Sequence, residues 1–189
     1  MIQLPMFKYC PSCSSQKITF KEGKVFNCPD CDFVYFHNIA AANGCLIIVP
    51  EGSKERLVLL ERNREPGKGK LDLPGGFVDA GEGVMEGLYR ELREELSWTP
   101  PIPEGGSLSD VFTMFASFSN TYKYKNIDYN TCDMFFTVRA PGLKPEDLHL
   151  EEDEVSAVLF LKPEEIDFDK IAFKSIRRAI ETYLSHSKN

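Results

Sequence analysis

The residues best suited to chemistry lie in the stretch GGFVDAGEGVMEGLYRELREELSW, from Gly75 to Trp98. It follows Pro74 and opens on two glycines, which allow unusual backbone angles and close approach to a ligand. The next residues predict a helix on which Glu91, Glu94 and Glu95 fall within roughly one third of the circumference. Carboxylates side by side repel one another, so the cluster predicts a compensating cation. Hard oxygen ligands of this kind suit Mg²⁺ or Mn²⁺.

A solvated acidic helix face is the common alternative for a glutamate-rich run, and the fixed spacing of the stretch argues against it. The stretch resembles the Nudix box, written G-x5-E-x7-R-E-U-x-E-E-x-G-U with U apolar. The matching positions are Gly76, Glu82, Arg90, Glu91, Leu92, Glu94, Glu95 and Trp98. Ser97 stands where the family usually has Gly, and Ser can also end a helix.

Resemblance to the Nudix family implies an α/β fold, a mixed sheet sandwiched between helices, and hydrolysis of a nucleoside diphosphate linked to another group X. It implies that Glu91 and Glu95 are the main metal ligands, with the Gly75 carbonyl as a further one. Glu94 would complete this catalytic cluster or position the attacking water. The choice of general base stays open.

Two further features of the resemblance concern charge. Arg90 is expected to pair with Glu82 or Glu94 and so to orient carboxylates. Nudix enzymes also often recruit one more carboxylate from the loop before their final strand, and here Glu154 is the first choice. The rival candidates in this acidic loop are Glu151, Glu152 and Asp153.

Candidate substrate contacts lie in two segments. The basic, glycine-rich loop 62–70 leads directly into the box and could compensate substrate phosphates, although a mobile surface loop has the same composition. The segment 120–129 alternates tyrosines with lysines and could stack a base, although an ordinary aromatic hairpin explains the same letters. The residues selected for substrate contact are Arg62, Lys70, Tyr122 and Tyr124.

The first forty residues contain two C-x2-C pairs on either side of a predicted hairpin within Lys17–Phe26. Such pairs can place four thiolates around structural Zn²⁺, and the segment resembles a zinc ribbon. Two disulfides in a secreted protein are the alternative, which the lack of a recognisable signal peptide disfavours. The ribbon's role is either structural or the docking of a partner. The proposed zinc ligands are Cys10, Cys13, Cys28 and Cys31.

The composition restricts the classes of protein to which the chain can belong. The chain has 189 residues, 42% of them hydrophobic and 27% charged, with a formal net charge of −7. This charge argues against binding driven by electrostatics to nucleic acid or membranes. The longest aliphatic run, Cys45 to Val49, is too short to span a bilayer. We expect a cytoplasmic protein with a zinc ribbon at 1–38 and a Nudix hydrolase domain at 39–189.

Periodicity predicts the elements around the box. Strands are expected at Ala40–Pro50, Arg56–Glu61, Asp110–Ser119, Thr131–Arg139 and Val155–Leu161, and an amphipathic helix at Lys174–His186. The expected core residues of the third and fourth strands are Met114, Phe115, Phe118, Phe135 and Phe136.

A zinc ribbon ahead of a Nudix box is similar to the NADH pyrophosphatases, which can remove NAD caps from RNA. Their S-Q-P-W-P-F-P-like motif has no counterpart here, where the region reads Ser117-Phe-Ser-Asn-Thr-Tyr122. ADP-ribose or a related nucleoside diphosphate derivative is therefore at least as good a candidate as NADH, and NAD-capped RNA has no support of its own. A homodimer is an expectation at the level of the family.

Two other classes of function fit parts of the pattern. A regulatory or nucleotide-sensing protein would bind a ligand on a non-catalytic Nudix domain, and the complete carboxylate cluster argues against it. An isoprenoid isomerase would share the fold but use Cys/Glu proton transfer on carbon. No catalytic cysteine motif is recognisable around Cys45 or Cys132.

Overall fold

The computed structural model describes residues 7–125 and 127–186, with the side chain of Tyr124 outside that description. The chain divides between Ile39 and Ala40 into two compact units. Across the described residues, no helix is both long enough and apolar enough to cross a membrane.

The first unit is a three-stranded antiparallel sheet of short strands. These are β1 (Thr19–Lys21), β2 (Val25–Asn27) and β3 (Val34–Phe36), in that spatial order. The predicted hairpin is confirmed as β1–β2, whereas β3 was not predicted. Phe26 is buried and stacks on Phe20 at 4.3 Å between ring centroids. This small aromatic cluster gives the short unit little buried apolar surface of its own.

The second unit is built on a mixed six-stranded sheet. Its strands are β4 (Ala40–Glu51), β5 (Lys54–Arg62), β6 (Leu71–Asp72), β7 (Thr113–Tyr124), β8 (Ile127–Arg139) and β9 (Val155–Leu161). The order is β6-β5-β4-β8-β7, and β9 pairs with β5. β4 and β8 run parallel, while the remaining pairs are antiparallel.

Two helices cover the two faces of this sheet, α1 (Val84–Leu96) and α2 (Lys174–His186). Successive residues of β4 point to opposite faces, so Ile47 packs in the core layer of α1 and Leu46 in that of α2. The apolar stripe of α1 is fully buried and consists of Leu88, Leu92 and Leu96. Burial of each of these side chains contributes roughly 1.5–3 kcal/mol to the stability of the fold. The predicted sandwich of a mixed sheet between helices is confirmed.

β7 and β8 depart from the expectation in length and in one core residue. They extend through the 120–129 segment as a hairpin in which Tyr122 pairs with Tyr129. Phe135 and Phe136 are buried as predicted, but the prediction for Met114 is wrong because its side chain is 48% exposed. A β-bulge between Met114 and Ala116 shifts the alternation of the strand, and Phe115 and Phe118 pack against the core as predicted.

Hydrogen bonds to β4 position the loop of the box, and defined ends position its helix α1. Residues 74–78 run along β4, where the Cys45 N–H donates to the Pro74 carbonyl and the Asn43 N–H to that of Gly76, both at 2.8 Å. α1 begins after Gly83, whose N–H donates to the Glu86 carboxylate at 2.6 Å. It ends at Ser97 in the left-handed conformation, with φ of 50°, so Ser takes the geometry that the box usually gives to Gly.

Candidate active site

Neighbouring atoms come so close to the two glycines of the box loop that neither position has room for a side chain. A Cβ on Gly75 would lie 2.5 Å from the Asn43 carbonyl oxygen, at a φ of +140° that side chains rarely adopt. A Cβ on Gly76 would lie 2.4 Å from Oε1 of Glu91. The Gly75 N–H donates to Oε2 of Glu95 at 2.9 Å. The loop is thus fixed against β4 on one side and against the carboxylates of α1 on the other.

Glu95 is a buried carboxylate with 8% of its surface exposed. Burial raises its pKa well above the ordinary value; the Gly75 N–H opposes this effect, while the charges of Glu91, Asp72 and Glu154 add to it. A carboxylate in this setting is costly to keep ionised without a cation.

Glu91 lies one helical turn before Glu95 and has 15% of its side chain exposed. Burial raises its pKa too, Arg90 lowers it, and the charges of Glu94 and Glu154 raise it again. The carboxylates of Glu91 and Glu95 therefore place negative charge where little solvent can screen it.

Arg90 organises the acidic groups around the cluster. It donates to Glu82 at 2.7 Å and to both Glu91 and Glu94 at 2.9 Å, so the expected pairing is confirmed for both named partners. It also donates to the Phe77 carbonyl at 3.1 Å. Arg90 therefore fixes the orientation of three carboxylates and ties the box loop to α1.

The acidic loop before β9 approaches the cluster through Glu154. Its charge raises the pKa of both Glu91 and Glu95, and its carboxylate pairs with Arg64. The Asn63 N–H donates to the Glu154 carbonyl at 2.7 Å, which fixes the loop against the end of β5. The three rival candidates, Glu151, Glu152 and Asp153, are exposed.

A cavity of about 200 Å³ adjoins Glu91 and receives some of the selected substrate residues. Arg62 and Tyr122 line it, whereas Lys70 is exposed and outside its lining. The prediction for Tyr124 concerns a side chain outside the described part of the chain. Arg62 is bound to Asp72 at 2.5 Å, so its charge is already compensated within the protein.

Sequence reasoning missed four buried polar residues of this cavity. Asn43, Asp72, Thr131 and Asp133 have exposures of 7%, 7%, 3% and 8%. The amide oxygen of Asn43 accepts from the Gly76 N–H at 3.3 Å. The signal that was available is a polar residue inside an otherwise apolar strand, a position that needs a specific partner or a ligand.

The carboxylate cluster fits a hydrated divalent ion. Within the described ranges, 7–125 and 127–186, the cysteines are the set of three or more candidate ligands whose donor atoms all lie within 4.8 Å of one another. The glutamates are spread more widely. Mg²⁺ usually keeps several waters and uses only one or two carboxylates, so two glutamates of one helix face are enough protein ligands for it. Arg90 compensates part of the charge of Glu91, whereas Glu95 receives one N–H from Gly75, so the pair can still accept a cation.

The four cysteines form a compact cluster of free thiols. Cys10 and Cys31 have sulfurs 3.6 Å apart, as do Cys13 and Cys28, far beyond the roughly 2.05 Å of a disulfide. This spacing fits tetrahedral ligation with Zn–S bonds of about 2.3 Å. Burial alone would raise the pKa of the Cys10 thiol, but the Cys13 and Ser12 N–H groups lower it to about 7. The neighbouring thiols raise the pKa of the Cys13 thiol, so the four sulfurs do not all ionise readily without a cation.

Comparison with known proteins places residues 40–182 under a family model described as the NUDIX domain. An ADP-ribose pyrophosphatase of Methanocaldococcus jannaschii is 39% identical over 80 residues, covering 42% of this chain and 43% of that protein. An NAD-capped RNA hydrolase, NudC, of Pseudomonas aeruginosa is 28% identical over 89 residues, covering 47% of this chain and 30% of that protein. The chain thus spans less than half the length of these curated relatives.

Solved structures share the fold. A NUDIX hydrolase from Nitrosomonas europaea superposes with a TM-score of 0.65 at 23% identity, covering 95% of this chain and 92% of that one. The NUDIX domain of Shewanella oneidensis NrtR, complexed with ADP ribose, superposes with a TM-score of 0.62 at 17% identity, covering 80% and 90%. At these identities the likeness establishes the architecture.

Proposed function

The chain belongs to the NUDIX domain family, and from this premise we propose that it hydrolyses the pyrophosphate bond of a nucleoside diphosphate linked to a second group, such as ADP-ribose or NADH. The observation that carries the proposal is the buried, mutually repelling pair Glu91 and Glu95 behind the Gly75 loop. A protein that only binds a nucleotide has no need to maintain such a pair. The names of the two curated relatives support the same substrate class.

The metal proposed for this site is Mg²⁺ or Mn²⁺, held by Glu91, Glu95, the Gly75 carbonyl and Glu154, with Glu94 completing the set. When bound, the ion neutralises charge on the reacting phosphate and favours ionisation of the attacking water. Glu91 and Glu95 hold a fixed position because Arg90 and the Gly75 N–H bind them. The more exposed Glu94, with 53% of its side chain accessible, can accept a proton from water.

The loop after β5 would supply positive charge for the substrate. Arg64 lines the cavity and is 53% exposed, so it can leave Glu154 and reach a phosphate oxygen. Arg62 lines the cavity while its Nη1 is bound to Asp72. We assign it to shaping the cavity wall.

The N-terminal cysteines complete the proposal as a structural Zn²⁺ site, in a ribbon domain at 1–38 ahead of the hydrolase domain at 39–189. The two C-x2-C turns are held together by Asp30, which accepts from Ser15 at 2.6 Å and from Lys17 at 2.9 Å. These bonds preset the loops before a metal enters. The ion would supply most of the folding free energy of the unit.

A nucleotide-sensing protein without turnover is the second candidate. It is favoured by one observation, the likeness of fold to a NUDIX domain that was solved in complex with ADP ribose. The two candidates share a binding cavity and differ in whether the carboxylates act on the bound diphosphate.

The test is hydrolysis across ADP-ribose, NADH, NAD-capped RNA, nucleotide sugars, dinucleoside polyphosphates and nucleoside triphosphates, with Mg²⁺ or Mn²⁺. Glu95→Gln is the matched inactive control, since Gln retains an acceptor for the Gly75 N–H. We expect turnover of at least one diphosphate that is lost in this variant. Nucleotide binding with no turnover in the whole panel would replace the hydrolase with the sensor.

A further inference from the structure

The two edge strands of the N-terminal sheet differ in how they resist pairing with another strand. In the order β1-β2-β3, the edges are β1 and β3. Charged side chains, lysine above all, commonly keep an edge strand from pairing with another chain. β1 ends on Lys21 and is followed by Glu22. β3 has neither a charge nor a proline, since it consists of Val34, Tyr35 and Phe36. All three side chains are exposed, to between 42% and 61%, so β3 is the edge that is open to a further strand.

Backbone hydrogen bonds show which groups of β3 face away from β2. The Cys28 N–H donates to the Phe33 carbonyl at 2.9 Å. The His37 N–H donates to the Lys24 carbonyl at 2.7 Å. Both bonds lie on the β2 side, and the direction alternates from residue to residue along an antiparallel strand. The N–H and C=O groups of residues 34 and 36 therefore point outward, where no strand among residues 7–125 and 127–186 pairs with them.

These outward groups define one register in which β3 can pair with itself. When two antiparallel copies meet about a two-fold axis at Tyr35, Val34 of each lies opposite the partner's Phe36. Opposed residues of this kind exchange N–H···O bonds in both directions. The Phe36 carbonyl already accepts from the Asn38 N–H at 3.0 Å, but a carbonyl has a second acceptor site. A register shifted by one residue would oppose outward groups to inward ones, so the pairing is specific.

The side chains of β3 are complementary in this register. Phe20, Phe26 and Tyr35 are in-register neighbours across the three strands and share one face of the sheet. Tyr35 at the axis would lie beside the partner's Tyr35, which extends this aromatic row across both sheets. On the other face, Val34 lies against the partner's Phe36. Aromatic–aromatic and aromatic–β-branched contacts are among the favourable cross-strand pairs.

The charges near β3 favour a second copy as the occupant of this edge. In the same register, Asp32 lies opposite the partner's Asn38, and Phe33 lies opposite the partner's His37. No like charges therefore face one another. A nucleic acid would need cations along the strand, and β3 has none. A symmetric pair, in contrast, gives each exposed apolar side chain an apolar neighbour.

We propose that β3 is a dimerisation edge, at which two copies of the chain join their three-stranded sheets into one continuous antiparallel sheet. The ribbon thereby docks a partner, which is a second copy. The strands are short, so the buried area falls below that of permanent dimers. We expect a reversible dimer with a dissociation constant on the order of 10 µM. The inference does not depend on the proposed hydrolysis.

Sedimentation equilibrium of the whole, zinc-loaded chain, from about 1 to 300 µM, is the first test. We expect the mass to rise with concentration from 21.4 kDa towards twice that value. Val34→Lys places a charge on the edge and should weaken association at least about tenfold. Thr19→Lys is the matched control, because residue 19 is in register with residues 27 and 34 but lies on the opposite edge. This control should keep the wild-type dissociation constant.

A disulfide tests the register. In the proposed pair the two Cα atoms at position 35 lie about 4.5 Å apart, which is within the range of a disulfide. Tyr35→Cys should therefore form a covalent dimer with oxidised glutathione as the oxidant. Val34→Cys should not, because its two Cα atoms lie roughly 8 Å apart. Zinc stays in the buffer so that the native thiols remain ligands.

A chain that keeps the monomer mass throughout this range and gives no Tyr35→Cys dimer overturns the inference. A dimer that is indifferent to Val34→Lys and gives no Tyr35→Cys cross-link also overturns it, because the interface then lies elsewhere. Cross-linking of Val34→Cys in place of Tyr35→Cys would contradict the register. The cross-link decides the question even where Val34→Lys fails to fold.

Discussion

Replacing Glu95 by Gln should stabilise the metal-free protein while it abolishes catalysis. Glu95 is 8% exposed, and it accepts one hydrogen bond, from the Gly75 N–H, that opposes the effect of burial. Gln keeps that acceptor and removes the charge that Glu91, Asp72 and Glu154 repel. The same charge is what a divalent ion needs, so stability and function should change in opposite directions.

The magnitudes follow from burial and charge. Removing a charge whose pKa is raised by burial stabilises the folded protein at a pH above that pKa, and each pKa unit corresponds to about 1.4 kcal/mol. For a chain of this size each kcal/mol raises Tm by about 2–4 °C, so the metal-free variant should melt at least about 2 °C higher. Loss of one electrostatic group at a charged reaction centre lowers kcat by about 10²–10³-fold, and a metal ligand should reach this range.

Thermal melting with and without Mg²⁺ is the assay, after dialysis into magnesium-free buffer without a strong chelator that would also remove zinc. Wild type should gain stability from Mg²⁺, as any ligand that binds only the folded state does. The variant should have a higher Tm than wild type without Mg²⁺, and Mg²⁺ should raise its Tm by less. Glu104→Gln, an exposed change in the connector after α1, should match wild type in both measurements.

A metal-free Glu95→Gln protein that melts at or below wild type would refute the reasoning on charge, because it would mean that the folded protein already compensates Glu95. An undiminished response to Mg²⁺ would refute its assignment as a ligand.

Three further outcomes are expected. Gly75→Ala forces a Cβ to within 2.5 Å of a backbone oxygen and should lower Tm by about 5 °C. Gly76→Ala places a Cβ nearest to the Glu91 carboxylate, which can shift only by giving up its bond to Arg90, so it should lower Tm less but weaken the Mg²⁺ response; the reverse order would contradict the geometry. Glu82→Gln should lower Tm at neutral pH, because bonds from Arg90 and the Asp79 N–H lower the pKa of Glu82 in the folded state. The lowered pKa stabilises above the unfolded-state value, so the difference from wild type should vanish as the pH falls through the folded-state pKa, and a constant difference would show that the effect is not ionic. Cys13→Ser should lose bound zinc by metal analysis and the dispersed amide NMR signals of the first unit, while signals of the compact second unit persist; retained zinc would exclude Cys13 as a ligand.

Much of the architecture could be predicted because its signals are local. The limits of β9 and α2 agree with the predicted Val155–Leu161 and Lys174–His186, since alternation and helical periodicity depend on neighbours in the chain. Where a β-bulge interrupts a strand, the alternation of residues no longer predicts which side chains face the core. At the bulge beside Met114 one of the three predicted core residues of β7 faces outward, and no residue type in the sequence indicates such an insertion.

The sequence by itself determined the chemistry that depends on spacing along one element. Glu91 and Glu95 share a helix face because they are four residues apart, and paired C-x2-C turns bring sulfurs together for the same kind of reason.

Only the tertiary structure decided what each charge meets. Arg62 is bound to Asp72 across two strands, Arg64 pairs with Glu154 of a distant loop, and Asp133 accepts from Ser175 of α2. These partners are set by strand register and by which helix covers which face. A sequence fixes spacing within an element, whereas the depth at which a charge is buried, and therefore its energy, depends on elements that are distant along the chain.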